Sequence, residues 1–218
     1  MIDTILFDLD GTLTDPGEGI TNSVAYSLRH YGIDVPDRAE LYRFIGPPLV
    51  DSYIKYYGFS PERAREAVEV YREYFREKGI FENKLYGGTR ELLEKTVSGG
   101  KRAVLATSKP EPFAKAIIEH FGLEKYFTFI AGALMDETRT KKADVIAYAL
   151  RNIGQPDRSR VLMVGDRMHD IMGAKENGIA SVGVLFGYGS EEELKTAGAD
   201  HIAKDMDELC RVIFSEDL

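Results

Sequence analysis

The chain is poor in the residues that staple, anchor or attract nucleic acid. Among its 218 residues is a single cysteine, Cys210, which excludes an internal disulfide and points to a reducing, cytoplasmic setting. No apolar run approaches the ~20 residues that a helix needs to cross a bilayer. The start, Met1-Ile2-Asp3, lacks the basic stretch and apolar segment of a secretory leader. Positive charge is in deficit, with 28 Lys and Arg against 36 Asp and Glu and a net charge of −8. Nucleic-acid binding depends on Lys and Arg neutralising phosphates, so that class is disfavoured. A small phosphate ester is not, because one local cationic site suffices. His30, His120 and His201 form no metal-spaced cluster. A Walker-type glycine loop and a Gly-x-Ser-x-Gly elbow are both missing, as are internal repeats and low-complexity segments.

What remains is an ordinary soluble composition, 44% hydrophobic and 29% charged, of a length that suits one large domain or a domain with an insert. Its most informative stretch is Asp3-Thr-Ile-Leu-Phe-Asp-Leu-Asp-Gly-Thr-Leu-Thr-Asp15. The run Ile5-Leu6-Phe7 reads as a short buried strand ended by a turn at Gly11-Thr12. Side chains alternate along a strand, so Asp8 and Asp10 are expected on one side with Leu9 pointing away. Two such carboxylates repel unless a proton or a cation is shared, and a hard cation such as Mg²⁺ takes oxygen ligands of this kind. One carboxylate can act as a nucleophile toward phosphorus, and the other can exchange protons with leaving group and water. The plain alternative is a capping Asp followed by a surface Asp.

Residues 16–84 have a different texture from their flanks. Ile20, Val24 and Leu28 recur at helical spacing. Further helices are expected over 38–44, 49–57 and from Pro61 to about Gly79, with no strand signal. This segment is read as a small helical cap domain inserted into a core of residues 1–15 and 85–218. Bundle packing accounts for its many tyrosines. The turn Gly46-Pro47-Pro48, with Arg43 before it, is its expected substrate-facing segment. After Leu85 strands and helices alternate. Strands are expected at 102–106, 127–131, 160–164, 180–186 and 201–203, and helices at 89–96, 110–121, 142–153, 170–177 and 206–214. The expected fold class is α/β: a Rossmann-like parallel sheet with helices on both faces, plus the helical insert.

Ligands of such sheets bind beyond the carboxyl ends of the strands, and three more strand ends carry polar residues there. Thr107-Ser108-Lys109-Pro110 offers a hydroxyl before a helix N-terminus suited to an anion, or an ordinary helix cap. Lysines at a helix start oppose the helix dipole, so one of Lys141 and Lys142 is expected to turn toward the carboxylates, Lys142 being preferred. Gly165-Asp166-Arg167-Met168-His169-Asp170 delivers two more carboxylates. Asp166 can share a cation with Asp8 and Asp10, and Asp170 can ligate through water, orient the site or cap the helix. His169 is read as a loop residue without a chemical role.

The segments Asp8-Leu-Asp10-Gly-Thr12, Thr107-Ser108, the lysine near 142 and Gly165-Asp166-x-x-x-Asp170 resemble, in order and spacing, the motifs of the haloacid dehalogenase-like hydrolases. The insert is similar to that family's helical type I cap, and the chain is most like the phosphoglycolate phosphatase-like group. The resemblance implies Asp8 as nucleophile and Asp10 as general acid and base, with Thr107 and Lys142 holding the phosphoryl group. It also implies Mg²⁺ held by Asp8, the backbone carbonyl of Asp10, and Asp166. Gly11, Thr12, Ser108, Arg43 and Gly46 are the expected substrate-binding residues. The expected activity is hydrolysis of a small-molecule phosphate monoester, with no nucleic acid or membrane partner, by a monomer or weak homodimer. Phosphomutase, pyrophosphatase and nucleotidase are alternatives on the same site, and a non-catalytic regulator is the alternative of another class.

Overall fold

The computed structural model describes residues 1–136 and 138–215. The chain divides into two compact units, one formed by Met1–Thr14 with everything from Leu85 onward, the other by Asp15–Lys84. In chain order the elements are β1 (Thr4–Phe7), β2 (Thr14–Asp15), α1 (Gly17–His30), α2 (Leu49–Tyr57), α3 (Pro61–Tyr74), β3 (Lys84–Leu85), α4 (Thr89–Ser98), β4 (Arg102–Pro110), α5 (Glu111–His120), β5 (Phe127–Ala133), α6 (Lys142–Asn152), β6 (Val161–Gly165), α7 (Met168–Glu176), β7 (Ala180–Val184), α8 (Glu191–Ala197), β8 (His201–Ala203) and α9 (Met206–Ile213). Among the described residues, no helix is long and apolar enough to cross a membrane.

The first unit is built on a six-stranded sheet in the order β5-β4-β1-β6-β7-β8, with parallel pairing throughout. A central parallel strand is covered on both faces and therefore reads as an unbroken apolar run. Ile5, Leu6 and Phe7 accordingly have no exposed surface, and burial of each such side chain stabilises by about 1.5–3 kcal/mol. On one face, Leu6, Val104 and Met163 pack with Val145, Ile146, Ala149 and Leu150 of α6 and Ala174 of α7. Right-handed crossovers explain the layering. The chain moves one way from β1 to β4 to β5, then returns past β1 to β6, β7 and β8, so the connecting helices change face. The topological switch point therefore lies between β1 and its neighbours, where carboxyl ends diverge and a crevice opens. The register sets Phe7 opposite both Leu105 and Val164, so the residues that follow on all three strands arrive at one level.

The helical unit follows its sequence pattern with two changes. Ile20, Val24 and Leu28 are buried along α1, as the four-residue spacing demands. The segment Arg38–Phe44, expected as a second α-helix, is a 3₁₀ stretch whose N-terminus is capped by Asp37, which accepts from Ala39 N at 2.9 Å. α3 starts with Ser60 accepting from Arg63 N at 3.2 Å and continues into a π-helical turn over Phe75–Gly79. That turn meets α1 backbone to backbone, since a Cβ on Gly19 would lie 1.9 Å from the Gly79 carbonyl oxygen. Rings fill the rest: Phe44 meets Tyr53 edge-on at 5.1 Å, and Tyr53 stacks on Phe59 at 5.7 Å.

Several expected boundaries move. Lys84, in the stretch read as strandless, belongs to β3, which pairs with β2 in a two-stranded sheet; two residues carry no alternation to read. Pro110 ends β4 and caps α5, where a helix start was expected. α7 begins at Met168, and β7 stops at Val184. α8 was not anticipated, although Ser190 before three glutamates is an N-terminal capping signal, and its hydroxyl accepts from Glu193 N at 3.1 Å.

Candidate active site

Strand β1 stops one residue before Asp8, and the chain then turns sharply instead of continuing in extended form. Leu13 N and Thr14 N both donate to the Leu9 carbonyl, at 2.9 and 3.0 Å, and Gly11 adopts a φ of +81°. The simple alternation expected for Asp8 and Asp10 therefore gives way to a loop. The two carboxylates receive separate partners.

Asp8 belongs to a carboxylate cluster. Lys142 Nζ lies 2.7 Å from Asp8 Oδ1 and 2.7 Å from Asp170 Oδ1, and donates to the Ala106 carbonyl at 3.0 Å. The first residue of α6 thus ties the carboxyl ends of β1 and β4 to α7. Asp166 follows β6 directly and accepts from Tyr188 N at 2.7 Å. Its packing is tight: a Cβ on Gly11 would lie 2.2 Å from Asp166 Oδ2, and one on Gly187 2.4 Å from its Cβ. Only glycine lets backbone approach a buried carboxylate this closely. Asp170 Oδ2 accepts from Arg167 N at 3.1 Å, so Asp170 caps α7 with one oxygen and meets Lys142 with the other.

One lysine against three buried carboxylates leaves the cluster short of positive charge. Burial, then the neighbouring Asp170 and Asp8, push Asp166 well above the usual carboxylate range. Burial, with Asp8 adding to it against the pull of Lys142, raises Asp170 to about 6. Lys142 is raised, burial being outweighed by Asp170 and Asp8. Oxygens of Asp8, Asp166 and Asp170 come within 4.8 Å of one another, and Asp166 Oδ1 is buried without a hydrogen-bond partner. An orphaned oxygen within an oxygen-only donor set fits a hard divalent cation. The side chain of Asp10 lies outside this set.

Asp10 instead pairs with Lys109, whose Nζ lies 2.7 Å from Asp10 Oδ2. Burial raises the Asp10 carboxyl, and it outweighs the nearby Lys109. The sequence pattern assigns Lys109 to the β4 end and gives it no role in the site. A lysine wedged between a strand terminus and a helix, next to Pro110, was the available signal. The backbone of Tyr188 was also missed; the glycines on either side of it, Gly187 and Gly189, were the clue.

Of the other expected residues, Thr107 is buried, and its Oγ1 accepts from Lys109 N at 3.2 Å. Thr12 is fully buried, with its hydroxyl unpartnered. Ser108 is partly exposed beside Thr107, while Lys141 is the residue before α6 and stays outside the ion-pair cluster. His169 is half-buried, and burial, then Arg167, lowers its imidazole. Arg43 and Gly46 lie in the helical unit, where the Arg43 guanidinium stacks 4.4 Å from the Tyr56 ring centroid and Gly46 turns with a φ of +102°.

Comparison with known proteins agrees with this chemistry. The family model for haloacid dehalogenase-like hydrolases matches residues 5–184. A 5'-nucleotidase of Pseudomonas aeruginosa is 48% identical over 97% of this chain and 95% of its own. Tyrosine-protein kinase PtkA of Mycobacterium tuberculosis is 42% identical over 85% of this chain and 62% of its own. The crystal structure of "a predicted phosphatase" from Clostridium acetobutylicum superposes with a TM-score of 0.95 at 47% identity, over 98% of both chains. By sequence, by sheet order and by its strand-end carboxylates, the chain belongs to the haloacid dehalogenase-like hydrolases and is an enzyme of their phosphatase kind.

Proposed function

We propose that the chain hydrolyses small-molecule phosphate monoesters through an aspartyl-phosphate on Asp8. Asp8 attacks phosphorus, the bond from phosphorus to the leaving oxygen breaks, and Asp10 gives that oxygen its proton. Asp10 then takes a proton from water, the water oxygen attacks phosphorus, and the bond to Asp8 breaks to release phosphate. The observation that carries this reading is the separation of two carboxylates only two positions apart. Asp8 sits with Lys142 among further carboxylates, while Asp10 is partly buried beside Lys109, its carboxyl raised by burial against the pull of that lysine. Unlike environments for neighbouring acids mark unlike roles.

Asp8, Asp166 and the Asp10 backbone carbonyl are the proposed Mg²⁺ ligands, with Asp170 supporting them; Mg²⁺, when bound, supplies positive charge opposite the phosphoryl oxygens. Lys142 and Thr107 hold those oxygens, and Gly11, Thr12 and Ser108 line the same end of the sheet. The helical unit, residues 16–84, is proposed as a cap over a core of residues 1–15 and 85–218, with Arg43 and Gly46 its substrate-facing residues. The enzyme is proposed to be cytoplasmic, a monomer or weak homodimer, without nucleic acid or membrane partners.

A phosphoglycolate-type substrate is the first reading. A nucleoside 5'-monophosphate is the second, supported by the 48% identity to a 5'-nucleotidase across nearly the whole chain. The test is an aryl phosphate assay with and without Mg²⁺, then a panel of phosphoglycolate, pyrophosphate and nucleoside monophosphates. Replacing a reacting nucleophile removes most of the catalysis, so Asp8→Asn should lose about 10⁵-fold or more in turnover. Undiminished turnover in that variant would sink the mechanism.

A further inference from the structure

The end of β4 is irregular in a way that bears on Asp10. Opposite β5, Ala106 pairs with Ala131 but Pro110 pairs with Ala133, so the register shifts across Thr107-Ser108-Lys109. Extra residues in one strand of a ladder re-aim side chains, and such irregularities gather at active sites. Here the shift turns a lysine inward. Lys109 is 9% exposed as a residue, and its ammonium meets Asp10 Oδ2 at 2.7 Å. Thr107 Oγ1 accepts from Lys109 N at 3.2 Å, which fixes the turn that carries it. The other oxygen, Asp10 Oδ1, is buried and has no hydrogen-bond partner. Burying an ion pair costs desolvation on both sides and is weak support for stability, so its presence here calls for another reason.

We propose that Lys109 is a positioning residue that ties down Oδ2 of Asp10 and leaves Oδ1 as the oxygen that exchanges the proton with the leaving group. The inference rests on the reading of Asp10 as general acid. It adds a division of labour between two lysines: Lys142 holds the nucleophile's cluster, and Lys109 holds the acid. A carboxyl free to rotate offers either oxygen at any angle; one held by an ammonium offers a single oxygen from a fixed place. Orientation of a reacting group is worth several powers of ten in rate.

The test uses leaving groups. A general acid matters most when the departing oxygen is basic, as in an alkyl phosphate, and least when it departs readily as an anion, as in 2,4-dinitrophenyl phosphate. kcat/KM covers the steps up to formation of the aspartyl-phosphate, so it isolates proton donation from the later attack of water. For each variant the readout is the ratio of kcat/KM on dinitrophenyl phosphate to that on an alkyl phosphate. Positioned acid catalysis contributes about 10²–10⁴-fold, so Lys109→Met should raise this ratio about 10²-fold. Lys109→Arg, which restores the charge, should bring it back most of the way. The double variant with Asp10→Asn should show no larger ratio than Asp10→Asn alone, because the lysine acts through the acid. Turnover of dinitrophenyl phosphate by each variant also reports that the site has folded. Equal losses on both substrates in Lys109→Met would overturn the proposal and make Lys109 a ligand of the phosphoryl group or a support of the fold. Should Asp10→Asn itself leave the ratio unchanged, the reading of Asp10 as acid fails instead. A raised ratio in Asp10→Asn with none in Lys109→Met removes the Lys109 inference alone.

Discussion

The two units solve burial in opposite ways. In the α/β unit, the end of an aliphatic sheet holds buried charges, with Asp8, Asp166, Asp170 and Lys142 almost withdrawn from water. In the helical unit, the interior is held by rings such as Phe44, Tyr53 and Phe59, and the cation of Arg43 rides on an aromatic surface. The first arrangement is unforgiving, because removing the partner of a buried charge in a low-dielectric setting is costly. The second tolerates change, because ring contacts are broad and each is worth only about 0.5–1.5 kcal/mol beyond its area. The reacting groups are thus proposed to sit where substitution is least forgiving, and substrate selection where the packing is more adaptable.

The largest stability effect should come from Lys142→Met, which leaves Asp8 and Asp170 without their ammonium next to a third buried carboxylate, Asp166. Breaking a buried pair by removing one partner costs about 3–5 kcal/mol, so thermal unfolding should fall sharply, with recovery on added Mg²⁺. A melting point within experimental error of wild type would show that the cluster carries no such strain.

A pair of glycine substitutions sharpens the contrast. Gly11→Ala meets both a φ of +81° and a Cβ position 2.2 Å from Asp166 Oδ2. Gly58→Ala, at the C-terminus of α2, meets only a φ of +64° in open space. The left-handed conformation costs a non-glycine residue about 1–2 kcal/mol. Gly58→Ala should lose about that much, measured by denaturant unfolding, with turnover retained. Gly11→Ala should lose more and take activity with it. Equal losses in the two would refute the close packing on Asp166.

The pH dependence follows from carboxyls raised by burial. Such a group holds its proton in the fold at pH values where the unfolded chain has lost it. Its contribution to stability is therefore full below the unfolded value near 4. For Asp170, raised to about 6, that contribution is lost as pH climbs toward 6, and Asp166, raised well above the carboxylate range, extends the loss further. Metal-free protein should thus pay for its cluster at pH 7.5, where a cation can offset the charge. The rise in Tm on adding Mg²⁺ should be larger at pH 7.5 than at pH 5, where protons compete for the same oxygens. A Mg²⁺ effect independent of pH would place the ion elsewhere. The smallest effect belongs to the helical unit: the buried Tyr53 hydroxyl has at most a weak contact with Ser27, whose own hydroxyl donates to the Ala67 carbonyl at 2.7 Å, so Tyr53→Phe should change stability by no more than about 1 kcal/mol. A larger loss would show that the Ser27 contact is a strong one.

Much of this was legible in the chain because local chemistry and periodicity carry it. Ile5-Leu6-Phe7 is apolar throughout, as a strand buried on both faces must be. Ile20, Val24 and Leu28 keep a helix spacing, and Asp8, Asp10, Asp166 and Asp170 stand at strand ends. Other features have no local signature. The 3₁₀ geometry of Arg38–Phe44 depends on packing, and the pairing of β2 with β3 is too short to pattern. α8 does carry a local signal, the Ser190 cap before three glutamates.

The sequence by itself determined which residues are available at the carboxyl ends of the strands, since alternation and turn residues decide where strands stop. Only the tertiary structure decided who partners whom. Lys142 sits 134 positions beyond Asp8 and Lys109 sits 99 beyond Asp10 in the numbering, so neither ion pair is encoded in a spacing. Each arises because parallel strands far apart in sequence end at one level, and burial there makes an unpaired charge too costly to keep.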